Sequence, residues 1–206
     1  MPNPKVVVFD LGRVLLDFDY RKLEKKLAEH SNLPADEIAR LFQQASLLGR
    51  YERGFLTSAQ FFAEFKTATG YRGSLAGFQE MFADIFTPIP AMIGLPAAIR
   101  AQGVPVFIFS NTNELAATHV RDRYPFFNHF DGYVLSYEHG AMKPDDSLYQ
   151  VVEDATGHRG QEVLYLDDMA ENIETGARRG WQVIQHKTPE ATIEALKSAG
   201  LLRQIQ

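Results

Sequence analysis

The stretch Val6-Val7-Val8-Phe9-Asp10-Leu11-Gly12 is a run of four apolar residues that stops abruptly at one carboxylate, with a glycine two positions on. A run this short, apolar on both faces, reads as a strand of a parallel sheet covered by helices on each side. Two later runs share its form. Val106-Phe107-Ile108-Phe109 ends in Ser110-Asn111, and Val163-Leu164-Tyr165-Leu166 ends in Asp167-Asp168. Open parallel sheets bind ligands at the carboxyl ends of their strands. Three polar strand ends therefore point to one active site.

Between the first and second of these strands the pattern changes. From about Tyr20 to Phe86, Leu23, Leu27, Ile38, Leu41, Phe61, Phe65, Phe78 and Phe82 recur at mostly helical steps, and no convincing strand interrupts them. Helix starts fall at Pro34-Ala35-Asp36-Glu37 and at Thr57-Ser58-Ala59-Gln60, the latter a hydroxyl cap with glutamine three residues on. Gly70 to Gly73 breaks the next pair, and Pro88, Pro90 and Pro96 read as a connection. Strands and helices then alternate: strands at Val104–Ser110, Gly132–Leu135, Val163 and Gln182–Ile184, helices at Glu114–Arg123, from Ser147, from Asn172 and at Pro189–Ala199. This order predicts an α/β fold: a Rossmann-like, doubly wound parallel sheet core with a small all-helical cap inserted after the first strand. The expected boundaries are 1–16 and 90–206 for the discontinuous core and 17–89 for the cap.

Composition narrows the function classes. The chain has 206 residues, 45% of them hydrophobic, which suits a globular protein with a sizeable core. A net charge of −5 without a basic stripe argues against nucleic acid or an anionic membrane as partner. No apolar stretch is long enough to cross a bilayer and none reads as a leader, so a cytoplasmic location is expected. The absence of cysteine excludes disulfides, thiol catalysis and thiolate metal sites. There is no glycine-rich nucleotide fingerprint, and none of the six histidines forms a metal-binding pair. Oligomeric state is not legible.

Phe9-Asp10-Leu11-Gly12, Ser110-Asn111, Lys143-Pro144 and Asp167-Asp168 with Asn172, taken in order, resemble the four motifs of the haloacid dehalogenase-like hydrolase superfamily. The resemblance spans nearly the whole chain. It extends to the helical insertion, and Tyr51-Glu52-Arg53-Gly54 resembles the cap of a helical-cap phosphatase subgroup. It implies a Mg²⁺-dependent phosphatase acting on a small phosphorylated metabolite, such as a sugar phosphate. Asp10 would be the nucleophile that forms an aspartyl-phosphate, a role carboxylates can fill. Lys143 would neutralise charge on nucleophile and phosphate, while Ser110 and the Asn111 N–H hold phosphoryl oxygens at the start of the following helix. Asp10, Asp168 and the Gly12 carbonyl would ligate the metal, with Asp167 ligating or holding metal-bound waters and Asn172 orienting the acidic loop. Three clustered carboxylates repel one another, and a hard divalent ion relieves that repulsion.

Taken singly, each of these residues has a plainer reading. Asp10 could cap a turn, Ser110-Asn111 a helix, Lys143 could be a solvated loop residue, and His139 more simply is one. Phe55, Phe61, Phe62 and Phe65 read as a helical core rather than a substrate cage, and Arg50 and Arg53 are weaker candidates for substrate contact. One departure stands out. Phosphatases of the superfamily usually carry a second aspartate two positions after the nucleophile as general acid and base; here that position is Gly12, followed by Arg13. Losing such a group costs about 10²–10⁴-fold in rate. Two escapes are open: a leaving group that needs little protonation, or Asp17 or Asp19 as substitute. The same residues also admit a 2-haloacid dehalogenase using Asp10 on carbon, or a catalytically silent phosphate-binding regulator.

Overall fold

The computed structural model describes residues 3–43 and 47–202. Five strands, β1 (Val6–Phe9), β4 (Val106–Ser110), β5 (Gly132–Leu135), β6 (Val163–Asp167) and β7 (Gln182–Gln185), form one wholly parallel sheet in the order β5-β4-β1-β6-β7. Every residue of β1 is buried because a central parallel strand meets side chains on both faces. Alternate residues go to opposite layers. Val7 and Phe9 join Ile99, Ile108, Leu166 and Leu196 on one face; Val6 and Val8 join Phe109, Tyr149, Tyr165 and Trp181 on the other. Helices α6 (Leu95–Arg100), α7 (Glu114–Arg123), α8 (Asp146–Thr156), α9 (Ala170–Arg178) and α10 (Pro189–Ser198) alternate with the strands of the doubly wound core.

The stretch expected to be helical folds into α1 (Tyr20–Glu29), α2 (Ala35–Gln43), α3 (Leu47–Glu52), α4 (Ser58–Thr69) and α5 (Leu75–Ala83). These close over a separate apolar cluster in which Phe61 stacks on Tyr51 at 4.4 Å and packs on Phe78 at 6.0 Å. Thr57 and Gln60 form the expected reciprocal cap of α4. Phe61 and Phe65 are buried, in line with the core reading, but Phe55 is 60% exposed and belongs to no core.

Two features depart from the expectation. At the borders of the helical stretch, β2 (Leu16–Phe18) and β3 (Phe86–Pro88) pair antiparallel, with Asp17 opposite Thr87. The two chain crossings between core and helices are thus tied to each other. Pro96 also opens α6 instead of marking a connection: proline is favoured in a first helical turn, where its missing N–H is not needed. Among the described residues no helix is long and apolar enough to cross a membrane.

Candidate active site

Because β1 pairs with both β4 and β6, the strand order reverses on either side of it, and the chain's polar strand ends converge at that switch point. One oxygen from each of Asp10, Asp167 and Asp168 lies within 4.8 Å of the others. Lys143 enters from the loop before α8 and stands between two of them, its Nζ 2.9 Å from Asp10 Oδ1 and 2.6 Å from Asp167 Oδ2. Its third hydrogen goes to the Phe109 carbonyl at 3.0 Å. The Lys143 backbone is locked reciprocally: its N–H donates to Asn111 Oδ1 at 2.7 Å and its carbonyl accepts from Asn111 Nδ2 at 2.9 Å.

The two carboxylates facing this ammonium differ. Asp10 Oδ1 also accepts from the Leu11 N–H at 2.7 Å, while Oδ2 takes no hydrogen bond among the described residues. Burial pushes the Asp10 carboxyl up to about 7, against the pull of Lys143 and with Asp167 adding to the rise. Asp167 is fully buried and saturated. Its oxygens accept from Lys143, the Tyr165 hydroxyl, the Met169 N–H at 2.8 Å and Asn172 Nδ2 at 3.0 and 3.2 Å. Burial would raise this carboxyl, but Lys143 and these donors hold it below its ordinary value. Asp168, partly buried, is raised by burial and then by its neighbour Asp167.

A cavity of about 310 Å³ opens over this cluster, walled by Asp10, Gly12, Asn111, Lys143, Asp168 and Asn172 together with Arg13, Phe18 and Met169. Asp167 and Ser110 are not on that wall. Ser110 is buried and its hydroxyl donates to the Asn111 carbonyl at 3.3 Å. Asn113 caps α7 by accepting the Ala116 N–H at 3.0 Å. Asn172 lies beside the acidic loop as expected, but its Oδ1 is buried with no partner. Arg50 and Arg53 stay off the wall: Arg50 pairs with Glu64 at 2.9 and 3.0 Å, Arg53 with Asp145 at 3.2 Å. His139 is an exposed loop residue. Asp17 and Asp19 are also off the wall, Asp17 paired with Arg13 and Asp19 capping α1 through the Arg21 N–H at 3.0 Å.

Sequence reasoning missed Tyr165 as part of the site. It stands two residues before Asp167 on β6, and the period-two rule places both side chains on one face. It also missed Ser136, whose hydroxyl accepts the Thr112 N–H at 2.9 Å and donates to the Glu52 carbonyl at 2.6 Å. Nothing local marks that serine.

The donor set suits a hard divalent cation. One ammonium faces three carboxylates, leaving two negative charges in a buried crevice, and the orphaned Asn172 oxygen adds a neutral acceptor at the same place. No thiolate or imidazole that would favour a softer metal is on the cavity wall.

A curated relative from Bacteroides thetaiotaomicron named D-ribitol-5-phosphate phosphatase is 22% identical over 192 residues, covering 88% of this chain and 91% of the relative. Phosphatase MT3486 of Mycobacterium tuberculosis is 29% identical over 185 residues, covering 84% of this chain and 82% of the relative. A crystal structure of a haloacid dehalogenase family enzyme from Bacteroides thetaiotaomicron, in complex with magnesium and inorganic phosphate, superposes with a TM-score of 0.79 at 22% identity over 89% of this chain and 94% of that one. The family model described as haloacid dehalogenase-like hydrolase matches residues 4–180, and the chain belongs to that family.

Proposed function

We propose that this hydrolase is a Mg²⁺-dependent phosphatase of a small phosphorylated metabolite, working through an aspartyl-phosphate on Asp10. The observation that carries the reading is the asymmetry of Asp10: one oxygen is held by Lys143 and the Leu11 N–H, and the other is free to attack. Phosphatase-named relatives of nearly full length support the same class. Asp10, Asp168 and the Gly12 backbone would hold the metal, which when bound would screen the repulsion between carboxylate and phosphate. Asp167, with no free face, holds Lys143 in place and keeps the ammonium charged at Asp10. Asn111, at the end of β4, offers its N–H to phosphoryl oxygens, with Ser110 behind it and α7 directing its N-terminus there. The five-helix layer would act as the cap, closing over the strand ends to exclude bulk water.

The three carboxylates favour phosphorus over a halogenated carbon, since attack on carbon gives no role to the second and third acids. The test is phosphate release from a panel of phosphorylated metabolites with Mg²⁺ and with EDTA, alongside halide release from 2-haloacids. Wild-type protein should release phosphate only with Mg²⁺, and Asp10→Asn should lose at least about 10³-fold. Halide release in EDTA would replace the phosphatase with a dehalogenase. Binding of phosphate without turnover would leave a silent regulator.

A further inference from the structure

Lys143 spends all three ammonium hydrogens inside the protein, on Asp10, Asp167 and the Phe109 carbonyl, and an ammonium has no more to give. Nothing in that arrangement serves the oxygen that must leave the substrate. Position 12 offers no acid, and the room for one is filled: a Cβ on Gly12 would stand 2.9 Å from Phe18 Cε1. Among the residues walling the cavity, the other cation is Arg13.

Arg13 is held in an unusual way. It is the single non-glycine at positive φ among the described residues, at +58°, fixed by its N–H to the Leu16 carbonyl at 2.7 Å. Left-handed backbone disfavours a side chain and suits glycine. The arginine is therefore kept there against its local preference. Its guanidinium lies over the Phe18 ring at 4.4 Å and pairs with Asp17. Both side chains of that pair are about half exposed, 49% and 56%, so it is a weak tie that a substrate oxygen can displace. Arg13 and Phe18 also border a second cavity of about 540 Å³ lined by Tyr20, Glu24 and Lys25 of α1 and Ala39 of α2. The stacked pair thus lines both spaces, and a leaving group that reaches from the first toward the second meets the guanidinium.

We propose that Arg13 is the leaving-group residue of the phosphatase reaction, an electrostatic substitute for the proton donor that position 12 lacks. The inference rests on the phosphatase reading above. A carboxylate oxygen of Asp10 bonds to phosphorus as the ester P–O bond breaks, and the bonding pair stays on the departing oxygen. The guanidinium keeps its own protons and donates hydrogen bonds to that oxygen while charge gathers on it. Water supplies the proton that completes the alcohol and leaves hydroxide; a second water attacks the aspartyl-phosphate, yielding inorganic phosphate and the regenerated carboxylate, and its remaining proton neutralises that hydroxide. A permanent cation stabilises charge but delivers no proton, so the substrates it suits are phosphate esters of acidic hydroxyl groups.

The test is a series of aryl phosphates graded by the pKa of the phenol, with Mg²⁺, for wild type, Arg13→Met, Arg13→Lys and Arg13→Gly. For the least acidic phenols, Met and Gly should lower kcat/KM by about 10²-fold, and for the most acidic by no more than about threefold, steepening the dependence on leaving-group pKa; Lys should fall between. Arg13→Gly adopts the same backbone without penalty, so its Tm should equal or exceed that of wild type and its loss cannot be misfolding. Wild-type turnover with parallel slopes in all variants would overturn the inference alone. Failure of the wild type to hydrolyse any member would overturn the phosphatase reading and this inference with it.

Discussion

Two carboxyl groups that share one ammonium move in opposite directions: Asp10 up, by burial, and Asp167 down, because Lys143 and three further donors hold its charged form. The difference lies in the partners, not in residue type, which is why the sequence could name Asp10 as nucleophile and Asp167 as a metal-site residue but not the opposite directions of their shifts. Another raised carboxyl lies away from this cluster. Glu52, partly buried, is pushed up from 4.5 to about 7 by burial, with Arg53 opposing, and it helps raise the neighbouring Tyr20 phenol. The sign follows from linkage. A folded-state value above the unfolded one means that folding favours the neutral acid, so no penalty exists at low pH and stability is lost as pH rises through the folded value. Glu52→Gln removes that penalty. Denaturant unfolding should find the variant more stable than wild type by on the order of 2 kcal/mol near pH 8 and equal to it near pH 4.5. An equal difference at both pH values would assign the effect to packing instead.

The turn from α3 into α4 is where helices and core meet. Four consecutive residues each touch the core: Tyr51 accepts the Leu115 N–H of α7 at 3.1 Å, the Glu52 carbonyl accepts from Ser136, Arg53 reaches Asp145, and Gly54 lies against Tyr137, next to Ser136. Gly54 sits at φ +71°, and a Cβ there would fall 1.9 Å from the Tyr137 carbonyl oxygen. Backbone meeting backbone leaves nothing to rotate away. Gly54→Ala should cost at least about 2 kcal/mol in denaturant unfolding and raise KM more than it lowers kcat, since the helices then sit off the strand ends. Unchanged kinetics would show that this contact does not set the cap. The contrast between these contacts and the strands explains what could be read in advance. β1, β4 and β6 were legible because a buried parallel strand writes its burial into a continuous apolar run, and each such run stops at its polar end. β2 and β3 were not, because three residues carry no period and Leu16-Asp17-Phe18 finds its partner about seventy positions away, at Phe86-Thr87-Pro88. Of the site, Asp10, Lys143, Asp168 and Asn172 were legible as ordered motifs, whereas the filling of the Gly12 space by Phe18 depends on that unread ribbon.

The whole molecule gathers like charge where its fold opens. A parallel sheet directs all its strand ends to one edge, so the acids of β1 and β6 meet there whatever the net charge elsewhere, and the lone ammonium of Lys143 leaves two negative charges uncompensated. Folding must therefore work against this cluster unless a cation joins it, and a cation that binds the folded state alone must stabilise it by mass action. At a hundredfold excess over Kd that linkage is worth about 2.7 kcal/mol, which for a chain of this length raises Tm by roughly 5–10 °C. Thermal unfolding with Mg²⁺ against EDTA should show such a rise at a pH near 7.5. Asp168→Asn, which removes an acid from the cavity wall without touching the Lys143 pairings, should raise the Tm of the metal-free protein and abolish the Mg²⁺ response. The readout needs no substrate, so it tests the charge argument apart from the reaction. A response that persists undiminished in Asp168→Asn would put the cation at a site that does not use this acid, and a Tm indifferent to Mg²⁺ would mean that the crevice tolerates its carboxylates through protonation of Asp10 rather than through a metal.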